Sequence, residues 1–428
     1  MKIRISIFFA ALILLLNCAG LFSDTVTDEA RKYFNELKSI ADKDNKKLWG
    51  EYLYGPVMFV NPRTREIITN ENDVNKTLLN INGVYIGKLS DKDILANTAY
   101  NWHGKIWTMI LMPLPKSDYD RHVLMVHEAF HRIQGRLGLE SPGETNNQLD
   151  DKLARILLRL EWEALLKALN DSPSAKQFDI QSALTFREMR RREYPGSTIK
   201  ENAMEIHEGL AEYTGIKLGI ADQFDRIRFI AEKVSDAGHF PSLVRSFPYE
   251  SGPLYCLLLD QSNTDWRQML NKNTDFGILT KKIFNITLEP NLKLSFEQRK
   301  NLYRFKEIEE YENGREIKKK QVVNDYKKIF VSGRKLIASF VNMKIQFDPR
   351  NLIALDNYGT VYPTLKIVDD WGILEVSKGA LITSDWKKVI VSYPMKIEGN
   401  SLTGDGWQLT LNNGWNYYRE GDNLKIGR

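Results

Sequence analysis

From residue 26 to 44 the chain has the composition and charge of a surface helix. Short strand-like runs follow at 52–60, 66–69 and 83–89, the second after the turn Asn61-Pro62-Arg63-Thr64. An apolar strand is predicted at 105–111, ended by Pro113 and Pro115. Ser117, with Asp120 three residues on, predicts a helix N-cap, after which Val126, Phe130, Ile133 and Leu137 recur at helical spacing. Residues 147–192 predict two long amphipathic helices split near Asp171-Ser172-Pro173, with Leu149, Leu153, Ile156, Leu160 and Ala164 in the core. Pro195-Gly196 ends the pair, and Thr198 with Glu201 predicts a capping box opening the next helix. Residues 295–330 predict two helices broken at Asn313-Gly314, with Lys318-Lys319-Lys320 facing solvent.

From about residue 335 the period falls to two, in runs at 336–340, 343–347, 361–368, 373–376, 389–392 and 407–411. Gly399-Asn400, Gly404-Asp405-Gly406 and Asn412-Asn413-Gly414 supply turn signals. The predicted fold class is α+β. A mostly helical region with a small N-terminal sheet spans 24–290, a helical connector 291–330, and an all-β module 335–428. Trp371, Trp386, Trp407 and Trp415 are read as core of that module in preference to a glycan-stacking platform.

A chain of 428 residues, 43% hydrophobic and 27% charged, has the composition of an ordinary globular protein. Its first twenty residues differ. Lys2 and Arg4 precede an apolar run at 5–16, the pattern of an export signal too short to span a membrane comfortably. Leu15-Leu16-Asn17-Cys18 then resembles the lipobox at which bacterial lipoproteins are cut and lipidated on cysteine. Asn17 stands where a small residue is usual, and ordinary cleavage near Gly20 is the alternative. Either route predicts export to the periplasm or cell envelope, with lipidated Cys18 as a membrane anchor. Cys256 is then left without a disulfide partner and is read as a buried small hydrophobe. Without Lys2 and Arg4 the 60 basic residues become 58 against 55 acidic, a net +3 that gives no argument for nucleic acid.

The candidate chemistry sits in the helix after Ser117, at Val126-His127-Glu128-Ala129-Phe130-His131. Two histidines four apart on a helix share a face and can reach one Zn²⁺, while the glutamate between them can take a proton from a bound water. Leu124, His127, His131 and Gln134 form a face distinct from the apolar stripe. The third ligand must come from elsewhere. His207-Glu208-Gly209-Leu210-Ala211-Glu212-Tyr213 offers Glu208 and Glu212 one turn apart, so that one can bind metal while the other orients a ligand histidine. His207 is an alternative ligand, but adjacent helical residues point about 100° apart, so His207 and Glu208 cannot both bind comfortably. On residue types alone, Glu201, Glu205, Glu208 and Glu212 make an equally good solvated acidic stripe.

These stretches resemble the gluzincin metallopeptidases, which include thermolysin and the aminopeptidase N family, over roughly residues 83–290. The aminopeptidase pattern N-E-G-x-A-x-Y aligns with the run at 207–213 and implies that Glu208 is the ligand. Pro248-Tyr249-Glu250-Ser251-Gly252 is similar to the P-Y-E-K-G segment, whose tyrosine stabilises the tetrahedral intermediate, which implies that role for Tyr249. The stretch between His131 and Glu208 is far longer than in those families. The helix pair at 147–192 accounts for it as an inserted hairpin. Asn101-Trp102-His103-Gly104-Lys105 stands where aminopeptidases carry the amine-gripping G-x-M-E-N, so exopeptidase action is not implied.

The expectation is an exported zinc peptidase acting on peptide or protein substrates. His127, His131 and Glu208 would hold Zn²⁺, Glu128 would be the general base, Tyr249 the oxyanion donor and Glu212 the orienting residue. The strand at 105–111 is expected to pair with an extended peptide at the sheet edge. The competing readings are an aminopeptidase or other zinc hydrolase, and a zinc-stabilised surface-binding lipoprotein that acts through its β module.

Overall fold

The computed structural model describes residues 24–141 and 144–428, so Cys18 and the rest of the predicted signal at 1–20 lie outside the described residues. The architecture mixes helix and sheet, with separate sheets in the C-terminal region. No described helix is long and apolar enough to cross a membrane. Two compact units divide the chain: one holds the residues up to Ser90 with 95–133, the other 91–94 with 134–428.

In the first unit, helix α1 (Asp24–Asp44) buries Ala30, Tyr33, Phe34, Leu37 and Ala41, an apolar stripe at helical spacing. Phe34 stacks on Phe59 with ring centroids 4.8 Å apart. Phe59 belongs to a six-stranded sheet built from β1 (Val57–Val60), β2 (Glu66–Thr69), β3 (Leu79–Ile81), β4 (Val84–Lys88), β5 (Thr98–Trp102) and β6 (Lys105–Leu111). Its order is β3-β4-β2-β1-β6-β5. The strand predicted at 105–111 is therefore no edge. β6 pairs with β1 on one side and β5 on the other, leaving no backbone row for an incoming peptide. β5 has no sequence signal, because Thr98-Ala99-Tyr100-Asn101 buries no alternating face; it is fixed by the tight turn His103-Gly104, with φ of 47° and 80°. Helix α2 (Asp118–Gln134) opens as expected at Ser117, whose Oγ accepts the Asp120 amide at 3.4 Å, and it buries Val126, Phe130 and Ile133 completely.

The second unit is helical up to residue 332. α3 (Lys152–Asn170) and α4 (Pro173–Glu193) form the predicted hairpin, with Asp151 capping α3 through the Leu153 amide and Pro173 in the first turn of α4. Leu149, Ile156, Leu160 and Ala164 are buried, whereas Leu153 is 40% exposed because it falls in the first turn beside the cap. After α4 come α5 (Ser197–Met204), a π-helical turn at Glu205–Gly209, and α6 (Leu210–Gly219). The predicted capping box is absent: Gly196 caps α5, and Glu201 turns inward to arginines. α7 (Gln223–Ala237), α8 (Pro248–Leu259), α9 (Phe276–Ile283) and α10 (Leu292–Arg299) follow. Cys256 is buried in α8, as its apolar surroundings predicted.

Asn313-Gly314 does not break the next helix. α11 (Phe305–Lys327) runs through it unbroken, and the interruption lies at Arg304, which takes a left-handed φ of 58°. Burial of Glu312 between Arg155 and Arg159, at 2.9 Å each, holds the helix across the weak pair. Within the lysine run, Lys318 and Lys320 face solvent but Lys319 is half-buried and paired with Asp150.

Residues 335–427 form two sheets. One joins β7 (Lys335–Ser339), β9 (Ile353–Leu355), β10 (Gly359–Tyr362), β13 (Ala380–Thr383), β14 (Lys388–Ser392), β18 (Asn416–Glu420) and β19 (Asn423–Gly427). The other joins β8 (Lys344–Phe347), β11 (Leu365–Asp369), β12 (Gly372–Val376), β15 (Lys396–Glu398), β16 (Ser401–Gly404) and β17 (Trp407–Leu411). The run read as one strand at 361–368 is two, β10 and β11, which Pro363 separates into different sheets. All four tryptophans belong to the shared apolar core or pack against it. Trp371 and Trp407 are buried, and their indole N–H groups donate to the Ser339 carbonyl and the Ser392 hydroxyl.

Candidate metal centre

On α2, His127 and Glu128 are buried at 4% and 5% exposure, and His131 is half-buried. The i, i+4 spacing brings the two imidazoles edge-to-face, with Nε2 of His127 and Nε2 of His131 3.0 Å apart. Two nitrogens bound tetrahedrally at about 2.0–2.1 Å from Zn²⁺ would sit about 3.3 Å apart, so little adjustment separates this pair from a ligand pair. His127, His131 and Glu208 form a group that could hold a metal ion, their ligand atoms all within 4.8 Å of one another. Two imidazole nitrogens and a carboxylate oxygen fit Zn²⁺, and they fit other divalent first-row ions as well. His207 is not part of the group; its Nε2 lies 3.7 Å from Glu208 Oε1.

Glu208 is positioned by the π-helical turn. There the Leu210 amide bonds to the Glu205 carbonyl five residues back, so the helix carries one extra residue and its register shifts. A wider turn leaves carbonyls without their usual partners, and Gln134 reaches two of them: its Nε2 donates to the Ile206 and His207 carbonyls at 2.9 and 3.0 Å. Spacing puts Gln134 on the histidine face of α2, but nothing in its residue type announces this task.

Directly after Glu208, Gly209 crosses α8 at Gly252, and each glycine leaves no room for a Cβ on the other. The close crossing brings Tyr249, one turn before Gly252, within hydrogen-bonding distance of Glu208. Its hydroxyl donates to Oε2 at 2.9 Å. The two glycines of the sequence motifs are thus what couple the tyrosine to the candidate ligand.

The carboxylates on either side have other partners. Glu205 is fully buried and gripped in bidentate fashion by Arg187, at 2.8 and 2.6 Å. Glu201, also fully buried, pairs with Arg190 and Arg191, and Glu161 bridges Arg187 and Arg190. The solvated acidic stripe is thereby overturned for its first half. Burial raises the carboxyl pKa of Glu201, but the charges of Arg190 and Arg191 outweigh it and bring it down to about 2. Arg187, Arg190 and Arg191 lie on one face of α4 at helical spacing, a signal that could have paired them with Glu201 and Glu205. Glu212 is buried, and its charge bears on Glu250. Burial first, then Glu212, pushes the Glu250 carboxyl well above its ordinary range, and its Oε2 has no hydrogen-bond partner among the described residues. Tyr213, the last residue of the motif, is buried with its hydroxyl on Asp260 at 3.1 Å.

No family model, curated protein or solved structure matches the chain.

Proposed function

We propose that this chain is a zinc-dependent peptidase with His127, His131 and Glu208 as its metal ligands. The observation that carries the reading is the convergence of these three donors from two distant stretches, with a glutamate set between the histidines in sequence. A purely structural site has no need of that glutamate. When bound, Zn²⁺ supplies a Lewis acid that polarises a carbonyl and lowers the pKa of water. Glu128 takes the proton of the attacking water and passes it to the leaving amine. Tyr249 holds Glu208 by its hydroxyl in the resting site and turns that donor to the oxyanion as charge develops. Glu212 orients a histidine ligand. On this reading the protein is exported and anchored through Cys18.

The deciding experiment pairs metal analysis with cleavage of a quenched peptide library, free and N-blocked. About one zinc per chain is expected, with hydrolysis by wild type and almost none by Glu128→Gln. A carefully prepared wild type without metal, or with metal and no Glu128-dependent cleavage, defeats the peptidase reading.

A further inference from the structure

α4, α9 and the stretch that leads into α10 enclose a cleft of about 530 Å³, within the size range of small-ligand sites. Leu184, Ile278, Leu288, Pro290 and Leu292 give it an apolar lining, and Ile278 stands there 67% exposed. Most of the charges on its wall are already matched. Arg187 is held by Glu161 and Glu205, Arg191 by Glu201 and Asp275, and Arg192 by Glu188. Two are not. Lys281 on α9 and Glu289 ahead of α10 line the same cleft, and neither makes a hydrogen bond or an ion pair among the described residues. A buried donor adds to the positive side. Arg187 is 2% exposed, and its Nε has no hydrogen-bond partner among the described residues. That Nε lies against Gly277, where a Cβ would come within 2.8 Å of it. Gly277 and Lys281 are one turn apart on α9, so the open donor and the unmatched ammonium share a face of that helix.

We propose that this cleft binds a short apolar peptide by both of its free ends. Its carboxylate is taken by Lys281 on the side of the Arg187 Nε, its ammonium by Glu289, and its side chains by the five apolar residues between them. A simple anion would leave Glu289 facing like charge, and a simple cation would meet Lys281 and Arg187. Only a ligand with both charges and an apolar body answers the whole lining. None of His127, His131, Glu208 and Tyr249 lines the cleft, so the site is separate from the metal centre and does not rest on the peptidase reading.

The test measures calorimetric binding to the full-length, zinc-loaded Glu128→Gln protein, with leucyl-leucine, its N-acetyl form and its C-terminal amide as probes. Leucyl-leucine is expected to bind about tenfold tighter than either blocked form. Adding Lys281→Gln should remove its advantage over the amide and leave that over the acetyl form. Glu289→Gln should do the reverse. Both positions are exposed, so zinc content and melting temperature should stay those of the parent. No binding of leucyl-leucine, equal binding of the three forms, or preferences that survive both substitutions overturns the proposal; the last places the peptide at another site, the metal centre included. If the two preferences divide between Lys281 and Glu289 as expected while wild type cleaves nothing, the peptidase reading falls and the cleft remains a peptide site.

Discussion

Gly252 rests directly on Gly209: a Cβ on the first would fall on the Cα of the second, and a Cβ on Gly209 would come within 2.9 Å of the Gly252 Cα. Both obstacles are backbone, so neither can swing aside. Gly252→Ala is therefore expected to cost about 3 kcal/mol of stability by forcing α8 away from the π-helical turn. It should also weaken metal binding, because Tyr249 moves with α8. Gly314→Ala, in the middle of α11 with nothing within 4 Å, should instead stabilise by about 0.5–1 kcal/mol. Urea midpoints and zinc affinities of the pair check this; similar values for the two substitutions would contradict the close crossing.

Tyr249→Phe removes the hydrogen bond to Glu208 Oε2 and keeps the ring. Zinc affinity should fall by about 10–100-fold, the usual effect of losing a residue that orients a ligand. On the peptidase reading, kcat at saturating zinc should fall by a further 10²–10³-fold, roughly, with KM little changed. Unchanged affinity in a chelator competition would show that the bond does not steady the ligand.

Arg187→Met strands Glu205 and takes one of two arginines from Glu161, both carboxylates being fully buried. Breaking a buried ion pair on one side costs about 3–5 kcal/mol. Metal affinity should drop as well, since Glu205 opens the turn that carries Glu208. A double substitution, Arg187→Met with Glu205→Met, should recover much of the stability. If it recovers none, the pair is not acting as a unit.

Acid should unfold the protein through Glu201 and Asp275. Burial raises both carboxyls, but their arginines outweigh it and depress Glu201 from 4.5 and Asp275 from 3.8, each to about 2. A depressed folded-state pKa contributes stability that is complete above the unfolded value and lost as pH falls towards the folded one. Stability should therefore drop between about pH 5 and pH 2, and Glu201→Gln should flatten that limb. Glu250 has the opposite sign. Its pKa is raised in the folded state, so its contribution worsens as pH climbs above the ordinary carboxyl value. Glu250→Gln should gain stability relative to wild type at pH 8 more than at pH 4, as denaturant titrations across this range would show.

The elements with a clear period were legible from sequence. The hairpin of α3 and α4, its break at Ser172-Pro173, and α2 with its histidine face all lie where the pattern put them. What escaped was set by distant partners. β5 has no alternating face and depends on pairing with β6. α11 continues through Asn313-Gly314 because Glu312 is pinned by two arginines of α3, some 150 residues earlier. The same holds at the centre. The grouping of His127, His131 and Glu208 followed the motifs, but the extra residue in the helix, the Gln134 bridge and the glycine crossing have no local signature.

The π-helical turn also separates carboxylates of one run by the partners they meet. Glu201, Glu205, Glu208 and Glu212 are identical side chains on one continuous helical run, and every one of them competes for counter-ions. The rotation introduced between Glu205 and Glu208 splits them into two markets. Ahead of it, the guanidinium groups of α4 are consumed by Glu161, Glu201, Glu205 and Asp275. Beyond it, Glu208 accepts a hydrogen bond from the Tyr249 hydroxyl. An arginine at position 249 would capture Glu208 permanently, and a divalent ion would then have to displace a bonded cation to bind. On the peptidase reading, the glutamate left for a metal is thus one that lies beyond the rotation, past the reach of the arginine pairs of α4.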